Sequence, residues 1–277
     1  MGTSKIEWCE KTWNPVTGCT PTAEGCKNCY AKRMAKRLAG RYGYPADDPF
    51  KVTLHPDKLD EPLHWKKPSR VFVCSMGDWM HKDVPDKFIN DIIIALWIAG
   101  THQYITLTKR PKRLSQFIID QHFTNPIKAS LLLGFSASTQ KEFNGGWQHM
   151  APLATAGWKV IVSLEPLIEA VDLNRVTIRP NGVNDPCTVM GSVLSHDACL
   201  FGPLGYTNGR GLSGVIVGGE SGPGARPCNI EWIRKIVQQC KAADVPCFVK
   251  QAQINGRLSR DPSEWPEDLQ DARQWVE

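Results

Sequence analysis

Six short, continuous apolar runs, most of them separated from the next by a helical pattern, limit the folds open to this chain more than any other feature. They are Arg70-Val-Phe-Val-Cys-Ser-Met-Gly-Asp78, Gln103-Tyr-Ile-Thr-Leu-Thr-Lys109, Ser130-Leu-Leu-Leu-Gly-Phe-Ser136, Trp158-Lys-Val-Ile-Val-Ser-Leu-Glu-Pro166, Gly214-Val-Ile-Val-Gly-Gly-Glu-Ser-Gly222 and Val245-Pro-Cys-Phe-Val-Lys-Gln251. Runs of this kind suit strands buried on both faces, as in parallel sheets. Helices are expected at 28–40, 86–99, 110–120, 140–156 and 229–243. Alternation of the two argues for right-handed βαβ units. A further strand around Lys11 to Val16 brings the count to seven. That number favours an α/β fold with a partial or complete (β/α) barrel over an open doubly wound sheet. Two stretches break the rhythm: the Tyr/Pro/Asp/His-rich connection 41–68 and an irregular insertion at 172–213. Connections this long inside a compact domain are usually lids or insertions. The expected organisation is one barrel domain over 1–254, followed by a C-terminal tail over 255–277.

The chain has 277 residues, 42% hydrophobic and 22% charged, enough to bury a full core. No run approaches the roughly 18 apolar residues of a membrane helix, and the first residues lack the apolar stretch of a secretory signal. Met-Gly-Thr-Ser also misplaces the hydroxyl that myristoylation requires. A cytoplasmic protein with no membrane partner is therefore expected. Ten cysteines in a chain of this length do not form the disulfide scaffold of a short secreted domain. In a reducing compartment, clustered cysteines read as ligands and isolated ones as core.

The cluster is Cys19, Cys26 and Cys29, spaced C-x6-C-x2-C between the first expected strand and the first expected helix. Three thiolates are one short of a closed zinc site. They suit an iron–sulfur cluster, which usually takes four, with one position left open. Zinc completed by a distant ligand, or three structural cysteines, remain the alternatives. Gly18 and Gly25 each precede a cysteine, which would let backbone approach a bulky cluster.

The stretch from Gly18-Cys19 to Cys29-Tyr30-Ala31 resembles the cluster loop of a phage- and bacterium-encoded three-cysteine family known only as a domain of unknown function. That family is similar to the radical S-adenosylmethionine (SAM) superfamily. Trp13-Asn-Pro, Met76-Gly-Asp, Leu107-Thr-Lys-Arg-Pro111, Ser163-Leu-Glu-Pro-Leu167, Val217-Gly-Gly-Glu-Ser-Gly-Pro223 and Phe248-Val-Lys-Gln251 carry the same resemblance. In the wider superfamily the commonest spacing is C-x3-C-x2-C, from which this loop departs. The resemblance implies a [4Fe-4S] cluster on Cys19, Cys26 and Cys29, with SAM on the unique iron and an external electron donor. It implies a 5′-deoxyadenosyl radical as the product of SAM cleavage. It also implies that Ser75, Gly77 and Asp78 meet the methionine end of SAM, and that Ser136, Ser138 and Glu165 lie in the zone of its ribose and carboxylate. For the first group a plain strand-to-loop turn is the alternative. For Glu165 it is a buried salt bridge to Lys109 or Lys250.

Gly218, Gly219 and Glu220 read as a glycine-rich cradle for a nucleoside or anion, although the G-x-G-x-x-G spacing is missing. Arg226 follows within reach of a carboxylate or phosphate. Basic residues gather at Lys27, Lys32, Arg33, Lys36, Arg37 and Arg41, with no acid between positions 25 and 46, and again at Lys109, Arg110, Lys112 and Arg113. Interleaved with Trp13, Tyr30 and Trp79, they suit phosphate contact and base stacking, and Lys250 joins this substrate set. The alternative is an ordinary solvated helix face.

Cys187 and Cys199, with His196, form a weak second metal candidate, whereas Cys74, Cys240 and Cys247 read as core. No G-x-S-x-G elbow supports a hydrolase. A radical enzyme modifying or repairing a nucleic acid base or nucleotide, DNA or RNA, is the expected function. Its rivals are a radical enzyme acting on a small metabolite or peptide, and a zinc-stabilised nucleic-acid-binding protein without catalysis.

Overall fold

A computed structural model describes residues 4, 6–123, 125–178, 187–190, 193–194, 198–202, 205–209 and 211–276. The strands are β1 (Lys11–Trp13), β2 (Val16–Thr17), β3 (Thr53–Leu54), β4 (Arg70–Val73), β5 (Gln103–Thr108), β6 (Leu131–Ser136) and β7 (Val160–Leu164). They continue with β8 (Arg175–Ile178), β9 (Cys187–Met190), β10 (Ala198–Gly202), β11 (Gly205–Gly209), β12 (Gly214–Gly218), β13 (Cys247–Ile254) and β14 (Arg257–Ser259). The helices are α1 (Tyr30–Leu38), α2 (Asp86–Ala99), α3 (Pro111–Asp120), α4 (Asn125–Ser130), α5 (Gln140–Thr155), α6 (Ile230–Ala242) and α7 (Glu267–Gln270).

The main sheet has eight strands in the order β1-β4-β5-β6-β7-β12-β13-β14. It is mostly parallel and not closed, with β1 and β14 as its outer strands. Strand order follows chain order throughout, so the sheet has no reversal of the kind a doubly wound fold needs. All seven expected strands are present, and the five expected helices lie within two residues of their expected ends.

The chain divides into two compact units, residues 1–22 with 29–134, and residues 23–28 with 135–277. In the first, β4 pairs in parallel with β1 and with β5. Val71, Val73, Tyr104 and Ile105 are fully buried, and α2 contributes Ile89, Ile92 and Leu96 to the same core. In the second, β12 pairs in parallel with β7 and β13. Every residue of β7 and β12 is buried, which is why those runs carry no polar alternation.

Residues 172–213, expected to be irregular, instead contain two antiparallel ribbons, β8 with β9 and β10 with β11. Short ribbon strands leave no helical period to read. The Asn255-Gly256 turn, with φ of 48° and 78°, returns β13 into antiparallel β14. Both residues sit in the left-handed region that a tight two-residue hairpin requires.

Candidate functional site

The cysteine loop leaves β2 at Gly18. Its backbone is fixed there by Gly18 N donating to Met76 O at 3.0 Å and Cys19 N donating to Phe50 O at 3.1 Å. Gly18 has φ +82°, and a Cβ on it would lie 2.1 Å from Lys51 O. A Cβ on Gly25 would lie 2.1 Å from Ser138 Oγ. The absence of a side chain at both positions is thus required by contacts with other parts of the protein.

In the first unit the turn after β4 supports the loop. Asn14 Oδ1 accepts from Met76 N at 2.9 Å and from Ser75 Oγ at 3.1 Å. Gly77 forms a bridge with Gly18, and Tyr30 donates its hydroxyl proton to Ser75 O. Asp78, almost fully buried, accepts from Thr108 Oγ1 at 2.7 Å, Met80 N at 3.0 Å, Lys109 N at 3.2 Å and Arg110 Nη1 at 2.7 Å. Those four donors occupy the roughly four lone-pair positions of a carboxylate. In this conformation Asp78 holds protein, not the amino group of a ligand. Arg110 reaches onward to Cys19 Sγ at 3.4 Å and to Thr20 O and Oγ1 at 3.1 Å each. Thr20 Oγ1 lies 2.8 Å from Nε2 of the buried His81 ring.

Burial opposes the Arg110 charge, but Asp78 and the Cys19 sulfur outweigh it and hold the guanidinium pKa above its ordinary value. By the same attraction a cation beside a thiol favours its thiolate. His81 is pushed down, first by burial and then by Arg110. Its ring is neutral at neutral pH.

The second unit holds the other stretch of the loop in a parallel way. Glu220 accepts from Asn28 Nδ2, Arg226 N and Arg226 Nε at 2.9 Å each, and from Arg226 Nη2 at 2.6 Å. Arg226 Nη2 also donates to Glu24 O at 3.2 Å. Burial alone would raise the Glu220 pKa, yet the hydrogen bonds from Arg226 and Asn28 pull it down to about 2. Glu142 accepts from Glu24 N at 3.0 Å and from Ser138 N at 2.7 Å. Glu165 is paired with Lys250 at 2.5 Å, the salt-bridge alternative expected for it. Gln251 Nε2 donates to Gly219 O at 2.5 Å, and the strand ends at Gly218 and Gly219 pack against Gln251 and Cys228.

The remaining sequence candidates separate by burial. Trp13 and Trp79 are fully buried, and Trp13 Nε1 donates to Lys58 O at 2.6 Å. Neither offers a ring face for stacking, which corrects their expected role. Ser138 is also fully buried beneath Gly25 and presents no surface to a ligand, whereas Ser136 is half-buried. Tyr30 is 42% exposed. Lys109 Nζ is buried with no hydrogen-bond partner among the described residues. Asn28, Thr108, Thr20 and Glu142 were not singled out as site residues. Thr139-x-x-Glu142 is a readable capping pattern, and Thr139 indeed caps α5.

The thiols also divide. Cys19, Cys26 and Cys29 are half-buried, whereas Cys9, Cys74, Cys228, Cys240 and Cys247 are buried. Burial pushes Cys9 up to about 11 and Cys228 up to about 12. Cys74 is raised by burial, and Cys247 by its hydrogen bond with Cys240 and by burial. The side chains of Cys187 and Cys199, and all of His196, lie outside the described residues. Among the described residues no three His, Cys, Asp or Glu side chains are gathered to hold a metal ion. The donor set still suits a cluster in kind, since three accessible thiols on one short loop are soft ligands, and metal sites commonly assemble as the metal binds. No helix among the described residues is long and apolar enough to cross a membrane.

No curated protein matches the chain. Two solved structures are similar. One, a cysteine-to-serine mutant of spore photoproduct lyase, is 16% identical with a TM-score of 0.41, covering 59% of this chain. This chain spans 47% of that chain's length. The other, spore photoproduct lyase complexed with dinucleoside spore photoproduct, is 13% identical with a TM-score of 0.45, over 92% of this chain and 68% of that one. A family model described as "Protein of unknown function (DUF5131)" matches residues 3–275, and the chain belongs to that family.

Proposed function

We propose that the chain is a radical SAM enzyme in which Cys19, Cys26 and Cys29 hold a [4Fe-4S] cluster with SAM at its open position, acting on a nucleic acid base or nucleotide. The carrying observation is the division of thiols: on this loop alone among the described residues are cysteines accessible, and five others are buried. When bound, the cluster and SAM supply a 5′-deoxyadenosyl radical that removes a substrate hydrogen. The chain's own residues orient and protect that chemistry. Arg110 favours the thiolate of Cys19 and ties it through Thr20 to the strand ends. Glu220 and Arg226 fix Asn28 and the backbone at Glu24. Ser75 and Gly77 at the end of β4, and separately Ser136, Glu165, Gly218 and Gly219 at strand ends of the second unit, are the residues proposed to contact SAM.

Anaerobic reconstitution tests this directly. The expected product is brown, with about four irons per chain, and forms 5′-deoxyadenosine from SAM under reduction. Ala at any one of the three loop cysteines abolishes both. A colourless protein with one zinc per chain, or an equal loss in Cys74→Ala, overturns the assignment.

A further inference from the structure

Two basic runs of the first unit look alike in sequence and differ in their surroundings. In the run after β5, Arg110 is neutralised by Asp78 and Arg113 by Asp86. On α1 and the turn after it, Lys32, Lys36, Arg37 and Arg41 form no ion pair with a carboxylate among the described residues. All four are exposed. The helix buries Ala31 and Ala35, so its cations lie on the solvent side. Lys32 and Lys36, one turn apart, repel each other. Such a face lowers its own energy when it meets a polyanion.

Beside it, Tyr42 is 75% exposed and has φ +53°. A bulky side chain in the left-handed region is a strained choice. The strain puts an aromatic ring in water next to Arg41, and base stacking is the contact such a ring makes. We infer that α1 and the 40–44 turn bind a single-stranded stretch of nucleic acid, with phosphates along Lys32, Lys36, Arg37 and Arg41 and one base on Tyr42. A membrane surface fits less well, because an interfacial helix turns a stripe of Trp, Phe or Leu outward, whereas the large apolar side chains this helix exposes are Tyr30 and Met34 alone. Binding does not depend on the radical reading above, although the chemistry that follows it does.

The test is fluorescence anisotropy of the full chain with a labelled mixed-sequence DNA strand of about 16 nucleotides. Binding should weaken with salt at a logarithmic slope near about −3, from about 0.7 per phosphate over four contacts. Lys36→Gln with Arg37→Gln should roughly halve that slope while leaving thermal stability unchanged or raised. Tyr42→Ala should weaken binding about tenfold with the slope intact. Lys235→Gln, an exposed lysine on α6, should change nothing. Unaltered binding in both α1-region variants, or tighter binding to phosphatidylserine vesicles than to the strand, overturns the inference. Strand binding without any 5′-deoxyadenosine formation would leave it standing and remove the radical reading. The reverse result would remove this inference and spare the other.

Discussion

Arg110 and Arg226 both hold the cysteine loop through a buried carboxylate, yet they use their guanidinium groups in opposite ways. Arg226 grips Glu220 with two donors, Nε and Nη2, and reaches the loop at Glu24 through its backbone oxygen and a looser ion pair at 3.8 Å. Arg110 shares Nη1 between Asp78 and the Cys19 sulfur and turns Nη2 to Thr20. A bidentate pair maximises geometric rigidity. A one-point pair leaves donors available for a neighbour whose charge can change. The second unit's pair therefore acts as an anchor, and the first unit's pair also tunes a thiol.

The largest effect should come from removing the carboxylates. Asp78→Ala and Glu220→Ala each leave a mostly buried arginine without its buried carboxylate, a loss of about 3–5 kcal/mol by chemical denaturation. If only one of them destabilises, the symmetry of the two clamps is false. Next is acid sensitivity. Because the Glu220 pKa falls from 4.5 unfolded to about 2 folded, its contribution is complete above 4.5 and disappears as the pH drops toward 2. Wild type should therefore lose more stability across that window than Glu220→Gln, and parallel curves would contradict the anchor. The smallest effect separates the two arginines. Arg110→Gln should slow iodoacetamide labelling of Cys19 several-fold at neutral pH, whereas Arg226→Gln should not. Equal rates would leave Arg110 without its tuning role.

The parallel strands and their helices were legible because burial on both faces writes an unbroken apolar run, as in Val160–Leu164 and Gly214–Gly218. The ribbons of 172–213 were not, since β8 to β11 are short and lack periodicity. Asn255-Gly256 is a two-residue hairpin signal, and β14 follows it where a tail is expected from the loss of the strand–helix rhythm. At the site, the cysteines and the glycines stood out by spacing, but the partners of Gly18, Gly25 and Asp78 depend on contacts many residues away. Gly25 meets Ser138, and Asp78 meets Thr108 and Arg110. Local pattern carries no information about such distances. Trp13 and Trp79 misled for the same reason: an aromatic near a basic run gives no sign of whether its ring is buried.

The placement of the 172–213 segment has a consequence for how freely this chain can vary. It leaves the sheet after β7 and re-enters at β12, the adjacent strand, where Ser213 N donates to Val160 O at 2.7 Å. Its ends are thus pinned at opposite ends of the parallel pair β7–β12, whatever lies between. Closing a loop on fixed ends costs entropy only logarithmically, about 0.6 kcal/mol per doubling of length. Enlarging that segment between its buried anchors Leu173, Val193 and Leu212 should therefore cost the sheet little, whereas removing the anchors would strip the core, so the segment is a natural point for grafting a reporter or a foreign domain.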